Sequence, residues 1–85
     1  MTNSVEFINA ANSIKQYKEN VNHDDIENLY GLYKQATVGD NNTEKPSFFN
    51  FVGVRKWNGW EKYKNMSISD AEKAYISYVN KIIKG

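Results

Sequence analysis

The sequence predicts an all-α fold, an antiparallel four-helix bundle in a single domain over residues 1–85, and three observations predict it. Four segments repeat apolar residues at helical spacing, with capping residues or glycines at their ends. No segment alternates apolar and polar residues between turn signals, so no strand is expected. The chain has 85 residues, one proline, no internal repeat and no linker, which leaves room for one modest core. Short amphipathic helices in such a chain bury their apolar stripes against one another.

The first helix is expected from about Ser4 to Tyr17, where Phe7, Ala10, Ala11, Ile14 and Tyr17 make one apolar face. Glu19 to Asn22 interrupts it. Asn22 is the expected N-cap of the second helix, with Asp24 and Asp25 at the positive end of its dipole. That helix carries Ile26, Leu29, Tyr30, Leu32, Tyr33 and Ala36, and should stop near Val38 because Gly39 suits the left-handed position that follows a helix. Residues 39–47 are a loop by composition, long enough to suggest a crossover rather than a hairpin. The third helix, Phe51 to Lys62, contains Gly53 and Gly59, each costing about 1 kcal/mol against alanine. Packing by Trp57 and Trp60 must offset that cost. The fourth begins after Met66, with Ser67 and Asp70 as a partial capping box and a buried stripe of Ala71, Ala74, Tyr75, Tyr78, Val79 and Ile82.

Composition excludes several classes of function. There is no cysteine, so disulfides and thiolate metal sites are unavailable. His23 is the only histidine and has no second imidazole to share a metal with. The formal net charge of +1 lacks the basic field of a nucleic-acid binder. The acidic start of the second helix also argues against a DNA-reading helix. The opening residues have neither a signal-peptide pattern nor the glycine needed for myristoylation, and no apolar run approaches a membrane span. A cytoplasmic, unanchored monomer is expected. Ser47, Ser67 and Ser69 have no evident base, and there is no glycine-rich phosphate loop, so no enzyme is expected.

The run Leu29-Tyr30-Gly31-Leu32-Tyr33-Lys34-Gln35-Ala36-Thr37-Val38-Gly39 is the most specific feature. Tyr30, Tyr33 and Lys34 stand at i, i+3 and i+4, on one broad helix face. Two rings and a cation there suit a nucleotide, one ring stacking on the base and the cation meeting a phosphate. The same spacing also fits two core tyrosines beside a solvated lysine. Some twenty residues on comes a second run, Lys56-Trp57-Asn58-Gly59-Trp60.

With the two runs in this order and spacing, the chain resembles the acyl-CoA-binding protein family from Phe7 to about Ile83. The resemblance implies the bundle fold of that family. It implies a carrier of long-chain fatty acyl-CoA, bound one to one, that forms an intracellular acyl-CoA pool and requires no cofactor. It assigns Lys34 to the 3′-phosphate of CoA and Tyr33 to the adenine, with Tyr30 lining the same groove. It places Lys56 near the phosphates, Tyr75 facing the nucleotide and Lys15 near the ligand head. Trp57 and Trp60 are read as packing residues. Ile26 on the second helix and Ala11 on the first are the expected walls of the acyl-chain groove. Three residues depart from the family pattern: Glu27 in a usually more apolar stretch, Val54 where a base is common, and Gly59 where alanine is usual. Expected partners are the ligand, acyl-CoA-using enzymes and, transiently, membranes, with no nucleic acid. A thioesterase on the same pocket and a bundle that binds a partner helix are the alternative readings.

Overall fold

Each helix begins at a side chain that satisfies an otherwise orphaned backbone donor. In the computed structural model, which describes residues 3–85, α1 (Val5–Ser13) starts at Ser4, whose Oγ accepts the Phe7 N–H at 3.1 Å. Met1 and Thr2, and with them part of the reading of the chain's start, lie outside the described residues. Before α2 (His23–Thr37), Asn22 accepts from the Asp25 N–H at 2.8 Å, and the Asp25 carboxylate accepts from the Asn22 N–H at 3.1 Å. This reciprocal box confirms Asn22 as the cap. Asn50, not anticipated from the sequence, caps α3 (Phe51–Lys62) through the Gly53 N–H at 3.0 Å. Ser67 caps α4 (Ile68–Lys84) through the Asp70 N–H at 3.0 Å.

The first helix is shorter than its periodicity suggests. After Ser13 the chain tightens into a 3₁₀ segment, Ile14–Asn20, broken at Tyr17 with φ −116° and ψ 31°. No proline or glycine forces this. Tighter turns are common at helix ends, and here Ile14 and Val21 both pack on the core, anchoring the segment on either side of the break.

The core is built from Phe7 and Ala10 of α1, Leu29, Leu32 and Ala36 of α2, and Ala71, Tyr75 and Val79 of α4. These positions follow the predicted stripes, and among the described residues the four helices occur without strands. Four predicted stripe positions, Tyr17, Ile26, Tyr30 and Tyr33, stay out of the core, Ile26 being 47% exposed and Tyr33 41% exposed. Pair contacts give the helix directions. Ser4 and Phe7 of the N-terminal region meet Glu72 and Tyr75 in that order, so α1 and α4 advance together. Asp24 and Lys34 meet Arg55 and Trp60 in that order, so α2 and α3 also advance together. Asn28 meets Tyr78 while Gln35 meets Met66, so α2 opposes α4. The antiparallel relation therefore holds between two pairs of helices. The segment between α2 and α3 is the crossover expected from its length.

The crossing of α2 and α3 depends on two glycines. A Cβ on Gly31 would overlap the Gly59 carbonyl oxygen, and one on Gly59 would overlap the Glu27 carbonyl oxygen. The backbones touch here, which leaves no room for a side chain at either position. The crossover is then tied down by the tryptophans. The Trp60 indole N–H donates to the Gly39 carbonyl at 2.7 Å, and that of Trp57 donates to the Thr43 carbonyl at 3.0 Å. Gly39 itself has φ +99°, the left-handed value that favours glycine.

Gln35, 1% exposed, latches the end of α2 to the turn before α4. Its amide donates to Asp40 and to the Met66 carbonyl, both at 2.8 Å, and Asp40 also accepts from the Asn65 N–H at 2.7 Å. The Gln35 amide, with help from Asn65, holds the Asp40 carboxyl below its ordinary pKa. The Asn3 amide does the same for Glu72.

Gly31→Ala should destabilise the fold by about 1–3 kcal/mol through overpacking, read as a lower urea midpoint with an unchanged slope; an unshifted midpoint would contradict the close crossing. Asp40 and Glu72 give a pH prediction. Both bind protons less readily folded than unfolded, so their stabilisation is complete above the ordinary carboxylate range and is lost as pH falls below it. The double variant Asp40→Asn/Glu72→Gln should therefore show a shallower loss of stability than the parent below about pH 5. Parallel profiles in acid denaturation would refute these two carboxylates as contributors.

Candidate functional site

The crossing of α2 over α3 leaves an open cavity of about 420 Å³ beneath the crossover segment, lined by Tyr30, Lys34, Pro46, Lys56, Trp57 and Trp60 among others. Three of the predicted ligand residues, Tyr30 and Lys34 of α2 and Lys56 of α3, therefore line one cavity. Both cations lie over ring faces. The Lys34 Nζ is 4.9 Å from the Trp60 ring centroid, and the Lys56 Nζ is 5.4 Å from that of Tyr30. Such placements contribute about 0.5–1 kcal/mol at exposed sites. Among the described residues neither lysine forms an ion pair. Their charge is not neutralised by a carboxylate and is available to an anion.

Tyr33 points elsewhere. Consecutive helix residues lie about 100° apart, so Tyr33 turns away from Lys34 towards α1 and α4. Its ring stacks on Phe7 at 5.5 Å between centroids and lies 5.9 Å from Tyr75. Phe7 and Tyr75 are themselves 5.0 Å apart. Phe7 and Tyr75 are buried, 2% and 4% exposed, while Tyr33 presents part of its ring outward. Burial, and then the nearby Tyr33, raise the Tyr75 hydroxyl pKa. Sequence reasoning placed Phe7 in the core without seeing that it backs Tyr33. That pairing is a long-range contact that no local spacing announces.

A second cavity of about 250 Å³ adjoins the first, with Lys56 lining both. Its other walls are His23, Ile26, Glu27, Val52 and Arg55. Ile26 thus stands in an apolar recess whose opposite wall is α3. Ala11 instead packs against the core and lines neither cavity. Lys15 stands exposed on the 3₁₀ segment and also lines neither. The unexpected Glu27 is answered by Arg55, 3.9 Å away, which also pairs with Asp24 at 3.0 Å. Asn28 has a structural task, accepting from Lys62 at 2.7 Å and Tyr63 at 2.9 Å. The Trp57 and Trp60 rings, read as packing, combine that role with lining the cavity. A larger groove of about 660 Å³ runs along Glu6, Lys73, Ile76 and Lys81, and contains none of the predicted site residues. Among the described residues no three His, Asp or Glu side chains group so as to hold a metal ion.

Comparison with known proteins agrees with this fold. The family described as acyl CoA binding protein matches residues 4–79. An acyl-CoA-binding protein of Saccharomyces cerevisiae is 44% identical over 77 residues, covering 91% of this chain and 88% of its own length. An acyl-CoA-binding protein homolog of Caenorhabditis elegans is 40% identical over 80 residues, covering 94% of this chain and 93% of its own. The crystal structure of acyl-CoA-binding protein 2 from Oryza sativa superposes with a TM-score of 0.89 at 35% identity, covering 93% of this chain and 88% of that one. With its two motifs, its helix order and nearly its whole length in agreement, the chain belongs to the acyl-CoA-binding protein family.

Proposed function

We propose that this chain binds long-chain fatty acyl-CoA thioesters one to one and acts as an intracellular carrier and pool former for them. The observation that carries the reading is the pair Lys34 and Lys56, held over aromatic faces with no acid partner among the described residues, beside an apolar recess that shares Lys56. A ligand with anionic phosphates at one end and an aliphatic tail at the other matches that order.

In this reading the 3′-phosphate meets Lys34, beside Tyr30, and Lys56 meets the phosphates nearer the pantetheine. Adenine stacks on the outward face of Tyr33, which Phe7 and Tyr75 hold from behind. Base–aromatic stacking of this kind is worth about 1–3 kcal/mol. The tail enters the recess of Ile26 and Val52 past Lys56. Burying roughly ten methylenes contributes about 8 kcal/mol, so the tail supplies most of the affinity and the head supplies selectivity. Lys15, distant from both cavities, takes at most a peripheral electrostatic part.

The family is one of binding proteins, and recognition without chemistry is the mechanism proposed here: the protein shields the tail and the thioester, and hydrolyses nothing. The working form is a cytoplasmic monomer without a cofactor, exchanging ligand with acyl-CoA-using enzymes and transiently with membranes. Among the described residues no helix is long and apolar enough to cross a membrane.

Calorimetric titration of delipidated protein with palmitoyl-CoA should give tight one-to-one binding, with free CoA and palmitate both far weaker; folded protein that ignores the thioester would overturn the proposal. Lys34→Ala should cost about 1.5–3 kcal/mol of that affinity, the range for a charged hydrogen-bond partner, with an unchanged circular dichroism spectrum. Tyr33→Phe should bind nearly as well as the parent, whereas Tyr33→Ala should lose more than about 1 kcal/mol. Parental affinity in both Lys34→Ala and Tyr33→Ala would remove these residues from the site.

A further inference from the structure

Among the described residues, four strongly exposed apolar side chains fall together at the start of α3. Phe48, Phe49, Phe51 and Val52 are 73%, 75%, 74% and 66% exposed. Single exposed apolar residues are unremarkable, but four within five positions make a patch that calls for a partner. The patch is held by local structure. The Phe48 and Phe49 rings lie 4.2 Å apart, the Asn50 N–H donates to the Ser47 carbonyl at 2.9 Å, and Asn50 caps the helix that follows. None of these rings packs in the core or lines either cavity of the candidate site.

The segment that carries the patch has cations as its only charged residues. From Lys45 to Lys56 the chain carries three cations and no acid. Arg55 is occupied by Asp24 and Glu27, while Lys45 and Lys56 form no ion pair among the described residues. Glu44 is the acid that borders the segment. The patch also adjoins the proposed tail recess, because Val52 belongs to both.

We infer that Phe48, Phe49 and Phe51, flanked by Lys45, dock this protein onto an anionic lipid bilayer with the mouth of the tail recess turned towards the membrane. The rings enter the headgroup boundary, where aromatic side chains partition favourably. Lys45 meets the negative surface potential of the leaflet. The geometry suits transfer of a long aliphatic tail, which can then pass between bilayer and recess without crossing water. This inference rests on the carrier reading for its purpose, but its surface can be tested independently.

The test compares the full chain with the variant Phe48→Ser/Phe49→Ser in flotation with phosphatidylcholine vesicles, with and without phosphatidylserine. The parent should bind the phosphatidylserine vesicles and bind more weakly to phosphatidylcholine alone. The variant should bind about tenfold less, having lost two apolar anchors, and should keep the parent's affinity for palmitoyl-CoA measured without vesicles. Equal vesicle binding by parent and variant would overturn the inference, as would a parent that ignores both vesicle types. A parent that ignores vesicles and sediments as a dimer, with the variant monomeric, would overturn it in favour of a second copy as the occupant. If the parent binds vesicles through these rings but not palmitoyl-CoA, the docking surface stands and the carrier reading fails.

Discussion

The contact between the α2 and α3 backbones at Gly31 and Gly59 is the constraint on which the candidate site depends. Ordinary helix pairs keep their axes 8–10 Å apart because side chains separate them. Here neither helix has a side chain at the crossing, so the two ridges on either side of it come together. Tyr30 and Lys34 of α2 face Lys56 and Trp60 of α3 across one end of the contact, and Ile26 faces Val52 across the other. The polar cavity and the apolar recess are thus two sides of one crossing. A wider spacing would separate the walls of both.

The tryptophans extend that arrangement to the crossover. Their indole N–H groups bind carbonyls at Gly39 and Thr43, so a segment without regular structure becomes a roof over the cavity. Their ring faces hold Lys34 and Lys45 in place of carboxylates. A carboxylate partner would have lowered the electrostatic attraction for an anionic ligand and would have had to be displaced on binding. An aromatic face orients the ammonium group while leaving its charge intact. Arg55 behaves differently: it is paired with Asp24 and Glu27, which offsets the acidic residue in the recess.

Much of this was legible in the sequence. The periodic stripes located α2, α3 and α4 almost to the residue, because Asn22, Gly39 and Ser67 mark their ends chemically. The two motifs identified Tyr30, Lys34 and Lys56 as a group, and the fold brings them together. Local spacing could not separate Tyr33 from Lys34, because the side to which each turns depends on which helices arrive there. The 3₁₀ segment was equally hidden, since Lys15 and Gln16 continue a helical pattern that tertiary packing overrides. The recess beside Ile26 is walled by α3, which is reached only through the crossover, so no local spacing near Ile26 or Ala11 announces it. Gln35 is an instructive case. It looks like part of a ligand motif, yet its buried amide clamps Asp40 and the Met66 carbonyl, so the motif records structural as well as binding constraints.

The position of Lys34 over Trp60 has an optical consequence. An indole's emission responds to a charge held near its ring, and Trp60 is nearly buried, 6% exposed, with its N–H already committed to Gly39. An anion that draws the ammonium group away changes that local field while leaving the ring shielded from solvent. Trp60 is therefore a fluorescent gauge of whether Lys34 is engaged, built into the wall of the cavity it would report on.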